Sequence, residues 1–283
     1  NLGLTHLYSG NAMASVECFE RALEAEPGFL KARFFLAKGL NLTGRHEAAL
    51  ESLDESIIAY PEMPDFHVER SDALMRLSQL DEAQKSAREA LRLQPDSATA
   101  LAALGTIQWM KGELDEAIKS YTRSLEIQPE EPSVHTNFAV VLQNLRRFDE
   151  AIDSFRRALG IDPDYSDARG NMAYLFSNLD RMDEARRTAR EGLERKPQDP
   201  FMHFVLGRCE RMEGRHQEAV NRLKPLVELL GEGRLLSETL FELGKAFDEL
   251  GEKDKAGKYF SRAVQIGEKL PVVVGRGLQE TFK

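Results

Sequence analysis

His67, His135 and His203 follow one another at a constant interval of 68 residues. Imidazole is the commonest metal ligand, so three in register raise the question of a metal site. Cys18 and Cys209 are the only cysteines, far apart in the chain. Two thiols make neither a disulfide framework nor a four-ligand zinc site, and they suit a reducing, cytoplasm-like compartment. The stretch PVVVGRGLQETFK, 271–283, runs from a strand-like apolar segment into Gly275 and Gly277. A phosphate-binding loop would need a third glycine or a Lys-Ser/Thr pair after them, and neither follows. It reads instead as a chain end tucked along the last helix, or as the stub of a following domain. No Ser/His/Asp or Cys/His set can be brought together, and the many carboxylates fit charged helix surfaces. The expectation is a chain with no catalytic, cofactor or metal residues.

The totals bound the class of protein. The 283 residues are 42% hydrophobic and 30% charged, enough to bury a core and stay in solution. A net charge of -9 argues against a nucleic-acid partner. No apolar run approaches the roughly 20 residues that a membrane helix requires. The chain opens at Asn1 without a charged-then-apolar leader, as an excised segment or a mature form would.

The elements that position these residues come from a repeat. AIKSYTRSLEIQP, 117–129, returns as AIDSFRRALGIDP, 151–163. Pro27, Pro61, Pro95, Pro129, Pro163 and Pro197 fall 34 residues apart, although the chain has only 11 prolines. Ala49, Ala83, Ala117, Ala151, Ala185 and Ala219 keep the same interval. So do the small residues Gly3, Ala37, Ser71, Gly105, Ala139, Ala173 and Gly207. A period in this range means stacked supersecondary units. Inside each unit the apolar spacing is helical, as in Leu101, Leu104, Ile107, then Leu114, Ile118, Tyr121, Leu125. Gly44, Gly112, Gly214 and Gly251 mark the turn between two helices, where a left-handed residue ends the first. Asp81, Asp115, Asp149 and Asp183 follow, placed to accept from free amides at the start of the second. Gly207 to Gly244 is 37 residues rather than 34, so three extra residues lie within 224–238. They predict a lengthened second helix or loop there.

This pattern resembles the tetratricopeptide repeat family, over residues 1 to about 270. The resemblance implies an all-α, right-handed α-solenoid of about eight helix-turn-helix units. They would end near Pro27, Pro61, Pro95, Pro129, Pro163, Pro197, Gly231 and Glu268. Units stacked in this way hold successive histidines of the triple too far apart for one ion, because helices pack 8–10 Å apart and metal ligands stand near 2 Å. The three histidines are then packing residues.

The resemblance also implies that the first helix of each unit lines a concave groove. Asn137 and Asn171 share one groove place, and Asn144 and Asn178 another two turns along. Each amide offers a donor and an acceptor, which suits a ladder that holds an extended peptide backbone. Met75, Trp109 and Met110 stand at groove places upstream, and Tyr174 within the ladder. Arg208, Arg211 and Lys245 make the downstream places cationic, suited to a carboxylate. Glu242, Asp248 and Glu249 are close enough in sequence to pair with them internally. The two-carboxylate clamp of chaperone-tail receptors is missing, since Ala102, Thr136 and Ser133 stand where its lysines would be.

The expected function is a scaffold or adaptor that binds an extended peptide or protein partner. Two alternatives remain open: a substrate-recruiting arm of a larger enzyme, glycosyltransferase- or sulfotransferase-like, and a self-assembling homo-oligomer.

Overall fold

A computed structural model describes residues 2–269, so the 271–283 stretch with Gly275 and Gly277 lies outside the described residues. The described chain divides into two compact units, 2–129 and 130–269. Unit 1 contains the helix pairs α1 (Leu2–Tyr8) and α2 (Ala12–Ala25), α3 (Leu30–Leu42) and α4 (His46–Ala59), α5 (Pro64–Arg76) and α6 (Leu80–Leu93), and α7 (Ala98–Met110) and α8 (Leu114–Ile127). Unit 2 contains α9 (Pro132–Asn144) and α10 (Phe148–Ile161), then α11 (Ser166–Asn178) and α12 (Met182–Arg195). It continues with α13 (Pro200–Met212), α14 (His216–Leu223) and α15 (Leu226–Leu229), and ends with α16 (Arg234–Glu249) and α17 (Lys253–Lys269). No strand occurs among the described residues. Within each unit every helix packs on its neighbour in sequence, and from α3 onward successive first helices of a unit also touch. This is the arrangement of an all-α solenoid.

The turn inside each pair has one conformation. Gly10, Gly44, Gly112, Gly214 and Gly251 have φ between 76° and 81°. Ser78, Arg146 and Asp180 hold the same place with φ of 59°, 60° and 59°, although they carry a Cβ. Each turn closes with the same long bond. Arg45 N donates to Leu40 O at 2.9 Å and Gln79 N to Leu74 O at 2.8 Å, capping the first helix in the Schellman manner. The aspartates after the turn do not cap the second helix. Asp81, Asp115, Asp149 and Asp183 lie inside its first turn, and the residues before it make no side-chain cap bond. A carboxylate there favours the helix dipole without reaching the terminal amides. Asp81 instead accepts from Lys111 Nζ at 2.9 Å, and Asp183 from Arg186 at 2.5 Å.

Close approach of the two helices explains the small residues. Ala49, Ala83, Ala117, Ala151, Ala185 and Ala219 have no exposed surface. A Cβ on Gly207 would stand 2.5 Å from Leu223, and one on Gly244 2.6 Å from the Phe260 ring. Gly3 and Gly105 likewise face Phe19 and Tyr121. Where the first helix carries glycine, the second supplies a large side chain. Ser71 and Ala173 stand opposite Ala87 and Ala189 in the repeat, whereas Ala37 and Ala139 stand opposite Leu53 and Phe155, so glycine, but not alanine, goes with a large partner throughout.

The irregular pair differs from expectation. Its second helix is not lengthened but broken at Lys224 and Pro225 into α14 and α15. Proline lacks the amide that would continue the ladder, which accounts for the break. The three extra residues lengthen the next first helix: α16 has 16 residues where α13 has 13.

The histidine place has a structural use. His67 Nε2 donates to Pro61 O at 3.3 Å and His203 Nε2 to Pro197 O at 3.0 Å. Arg33 and Arg169 occupy the same place and donate to Pro27 O and Pro163 O at 3.0 and 2.5 Å. These side chains satisfy a carbonyl that the loop leaves open. His135 is buried.

Candidate functional site

In unit 2 the first helices α9, α11, α13 and α16 adjoin one another in that order. Their shared face gathers most of the expected site residues. Asn137, on α9, is exposed. Asn171 is half-buried, and its Nδ2 donates to Asp167 O of its own helix at 2.8 Å. Asn144 is half-buried, and its Nδ2 is enclosed without a hydrogen-bond acceptor. Asn178 is exposed, with Oδ1 accepting from Arg208 Nη2 at 2.8 Å. The four asparagines are therefore not equivalent. Asn137 is open to solvent, whereas Asn178 is tied to α13.

The cations converge on one carboxylate. Glu242 of α16, with a side chain 3% exposed, accepts from Arg208 Nη1 at 3.0 Å and Arg211 Nε at 2.5 Å. Lys245 Nζ stands 3.7 Å from it. Arg211 also reaches Glu249 at 3.0 Å, while Asp248 turns away to Lys253 at 2.6 Å. So Glu242 and Glu249 pair internally with the cations and Asp248 does not. Burial pulls the Lys245 ammonium below its ordinary value against the opposing pull of Glu242. Its amine also lies 4.4 Å from the centre of the Phe241 ring.

Tyr174 sits at the head of this cluster. Arg208 lies over its ring at 5.3 Å, and Phe201 and Phe204 flank it at 6.1 and 6.0 Å. Burial pushes its phenol up to about 12, with Glu238 adding to the shift, so it acts as a neutral hydroxyl. Cys209 is buried, and its thiol is pushed up to about 11, chiefly by that burial. A thiol in that state is a poor nucleophile.

The remaining expected residues belong to unit 1. Met75 is half-buried against the Leu74, Ala83, Ala87, Leu104 and Ile107 core. Met110 is half-buried as well. Trp109 is only 8% exposed, so most of its indole is packed rather than presented to solvent. Large aromatic area gains most from such packing.

Unit 1 holds a feature that the groove places alone did not single out. Leu30, Phe34, Phe35, Met63 and Phe66 line a cavity of about 310 Å³, with Lys31 and Asp65 among its walls. Phe34 meets Phe35 edge to face at 5.1 Å and tilts against Phe66 at 6.4 Å. The sequence signal was available, because Lys31, Phe34 and Phe35 stand at groove places of their repeat. No helix among the described residues is long and apolar enough to cross a membrane.

Comparison with known proteins places this geometry in a family. Three family models, each described as tetratricopeptide repeat, match residues 1–64 and 68–132, 145–209, and 237–268. No curated protein matches the chain. Among solved structures, a thermophilic TPR protein of Thermus thermophilus is similar at 25% identity. The match covers 62% of this chain and 95% of that one, with a TM-score of 0.59. A TPR protein of Parabacteroides merdae matches at 20% identity, over 91% of this chain and 96% of its own, with a TM-score of 0.67. The APC/C hetero-tetramer Cut9-Hcn1 gives 12% identity and a TM-score of 0.76, over 98% of this chain and 55% of that chain. The last two likenesses concern the fold alone. With its 34-residue period, its left-handed turns and these matches, the chain belongs to the tetratricopeptide repeat family, whose general role is protein–protein interaction.

Proposed function

We propose that this chain is a non-catalytic scaffold that holds an extended segment of a protein partner along the first-helix face of unit 2. The observation that carries the reading is that successive adjoining first helices carry an exposed amide, Asn137, then Tyr174, then a cation cluster. Asn137 and Asn171 offer donors and acceptors that match a peptide backbone. Lys245, 32% exposed, stands at the edge of the cluster, where an acidic group on the partner would meet it.

The test is site-specific photo-crosslinking in native extract. A benzophenone side chain replaces Asn137 on α9 in one variant and Asp153 on α10 in another. Partner proteins captured from position 137 and not from 153 support the reading. Capture from 153 alone moves the interface to the second helices and overturns it.

A further inference from the structure

Asn41, the penultimate residue of α3, is 7% exposed. Its Nδ2 donates to the Glu69 main-chain carbonyl on α5 at 3.1 Å and stands 3.5 Å from Glu69 Oε2. The carbonyl can only accept, so the amide orientation is fixed. That leaves Asn41 Oδ1 as an acceptor, enclosed and without a donor. An unmet acceptor in such a place is costly, and no outside group reaches an enclosed atom. The neighbouring carboxyl can meet the need if it carries a proton.

We propose that Glu69 and Asn41 form a proton-dependent latch between α3 and α5. The neutral carboxyl donates its O–H to Asn41 Oδ1 and accepts from Nδ2 in return. When the proton leaves, the carboxylate keeps only the Nδ2 contact and Asn41 Oδ1 is orphaned.

The surroundings favour the proton. Burial is the main cause that pushes the Glu69 carboxyl up to about 7, with Asp72 and Asp65 of its own helix adding to it. Lys38 of α3 opposes them. Asp72 is itself engaged by Arg76 at 3.4 Å. From α4, Asp54 is taken by Arg70 at 2.6 Å, and Arg70 also donates to Ser86 of α6 at 2.7 Å. α7 carries no charged residue or histidine. A carboxyl raised in the folded state binds more protons than in the unfolded chain between about 4.5 and 7. Stability from the latch is therefore full below about 4.5 and is lost as pH rises through about 7. The charge of the α3–α5 face changes in the same window, beside the aromatic cavity that Asp65 also lines.

The direct test is carbon-13 NMR of the Glu69 carboxyl in the wild-type chain. A titration midpoint near 7 is expected, and a midpoint near 4.5 overturns the latch. Glu69→Gln supplies a permanent donor to Asn41 Oδ1. Its melting temperature should exceed that of wild type at pH 8, and the difference should shrink or vanish at pH 5. Parallel pH profiles for the two proteins would also overturn the proposal.

Discussion

The first-helix faces of the two units are built from one repeat and differ in how their aromatic and charged residues are arranged. In unit 1 Phe34, Phe35 and Met63 enclose a cavity beside the carboxyls Asp65, Glu69 and Asp72, with Trp109 packed in. In unit 2 the face is polar and charged: Asn137, Asn171 and Asn178, then Arg208, Arg211 and Lys245 on Glu242. The interiors hardly differ. Alanines at the seam have no exposed surface in either unit, and every turn takes the left-handed conformation. The repeat therefore constrains the seam and the turn, where volume and backbone geometry leave no choice, and frees the face to vary.

This comparison breaks most sharply at Glu242. Removing this buried carboxylate takes from two guanidiniums their shared partner, leaving Arg211 with Glu249 and Arg208 with the Asn178 amide, at a cost of about 3 kcal/mol, the low end for breaking a buried pair. Glu242→Ala should lower the circular-dichroism melting point of the chain. Fluorescence of Trp109, the single tryptophan, reports unit 1 and should move less. Equal shifts by both probes would mean that the two regions unfold as one.

A smaller effect is expected at the seam. Gly207→Ala should cost about 1–3 kcal/mol, because the new methyl meets Leu223 at 2.5 Å. In a Leu223→Ala background the same change should cost less, imitating the Ala173 and Ala189 combination. Urea unfolding of the four proteins in a double-mutant cycle measures the coupling. Additive effects would sink the volume-matching account.

The turns should respond in the opposite direction in both units. Ser78→Gly in unit 1 and Asp180→Gly in unit 2 should each stabilise by about 1 kcal/mol, since a Cβ is disfavoured at their φ of 59°. Thermal melts that fall instead would show that these side chains have a role the turn geometry hides. The least change is expected at the solvated pairs. Lys119, 70% exposed beside Glu116, should be replaceable by alanine with no measurable shift in melting temperature.

Much of this architecture is legible in the residues. The proline and alanine intervals give the helix pairs, and four glycines mark their turns. Ser78 and Arg146 stand at the same turn place with no chemistry that announces a left-handed backbone, whereas Asp180 is of a type that visits it. The extra three residues could be confined only to 224–238. Three residues is close to one helical turn of 3.6, so a helix lengthened at its start keeps its apolar face and leaves no mark in the pattern. At the candidate site Lys245 and Glu242 were legible as a pair, because places three apart share a helix face. Arg208 and Arg211 reach Glu242 from the preceding first helix, about one repeat away, so their pairing rests on the stacking of units. The unequal exposure of the asparagines was not, since it depends on whether a neighbouring helix offers a partner such as Arg208.

A partner segment lying along the first helices of unit 2 would shield their backbone amides from solvent. Hydrogen-exchange mass spectrometry on the chain with a crosslink-identified partner tests it most directly. Added protection should fall within 132–144, 166–178 and 200–212, the spans of α9, α11 and α13. Protection confined to α10 and α12, with those three helices unchanged, would contradict the account.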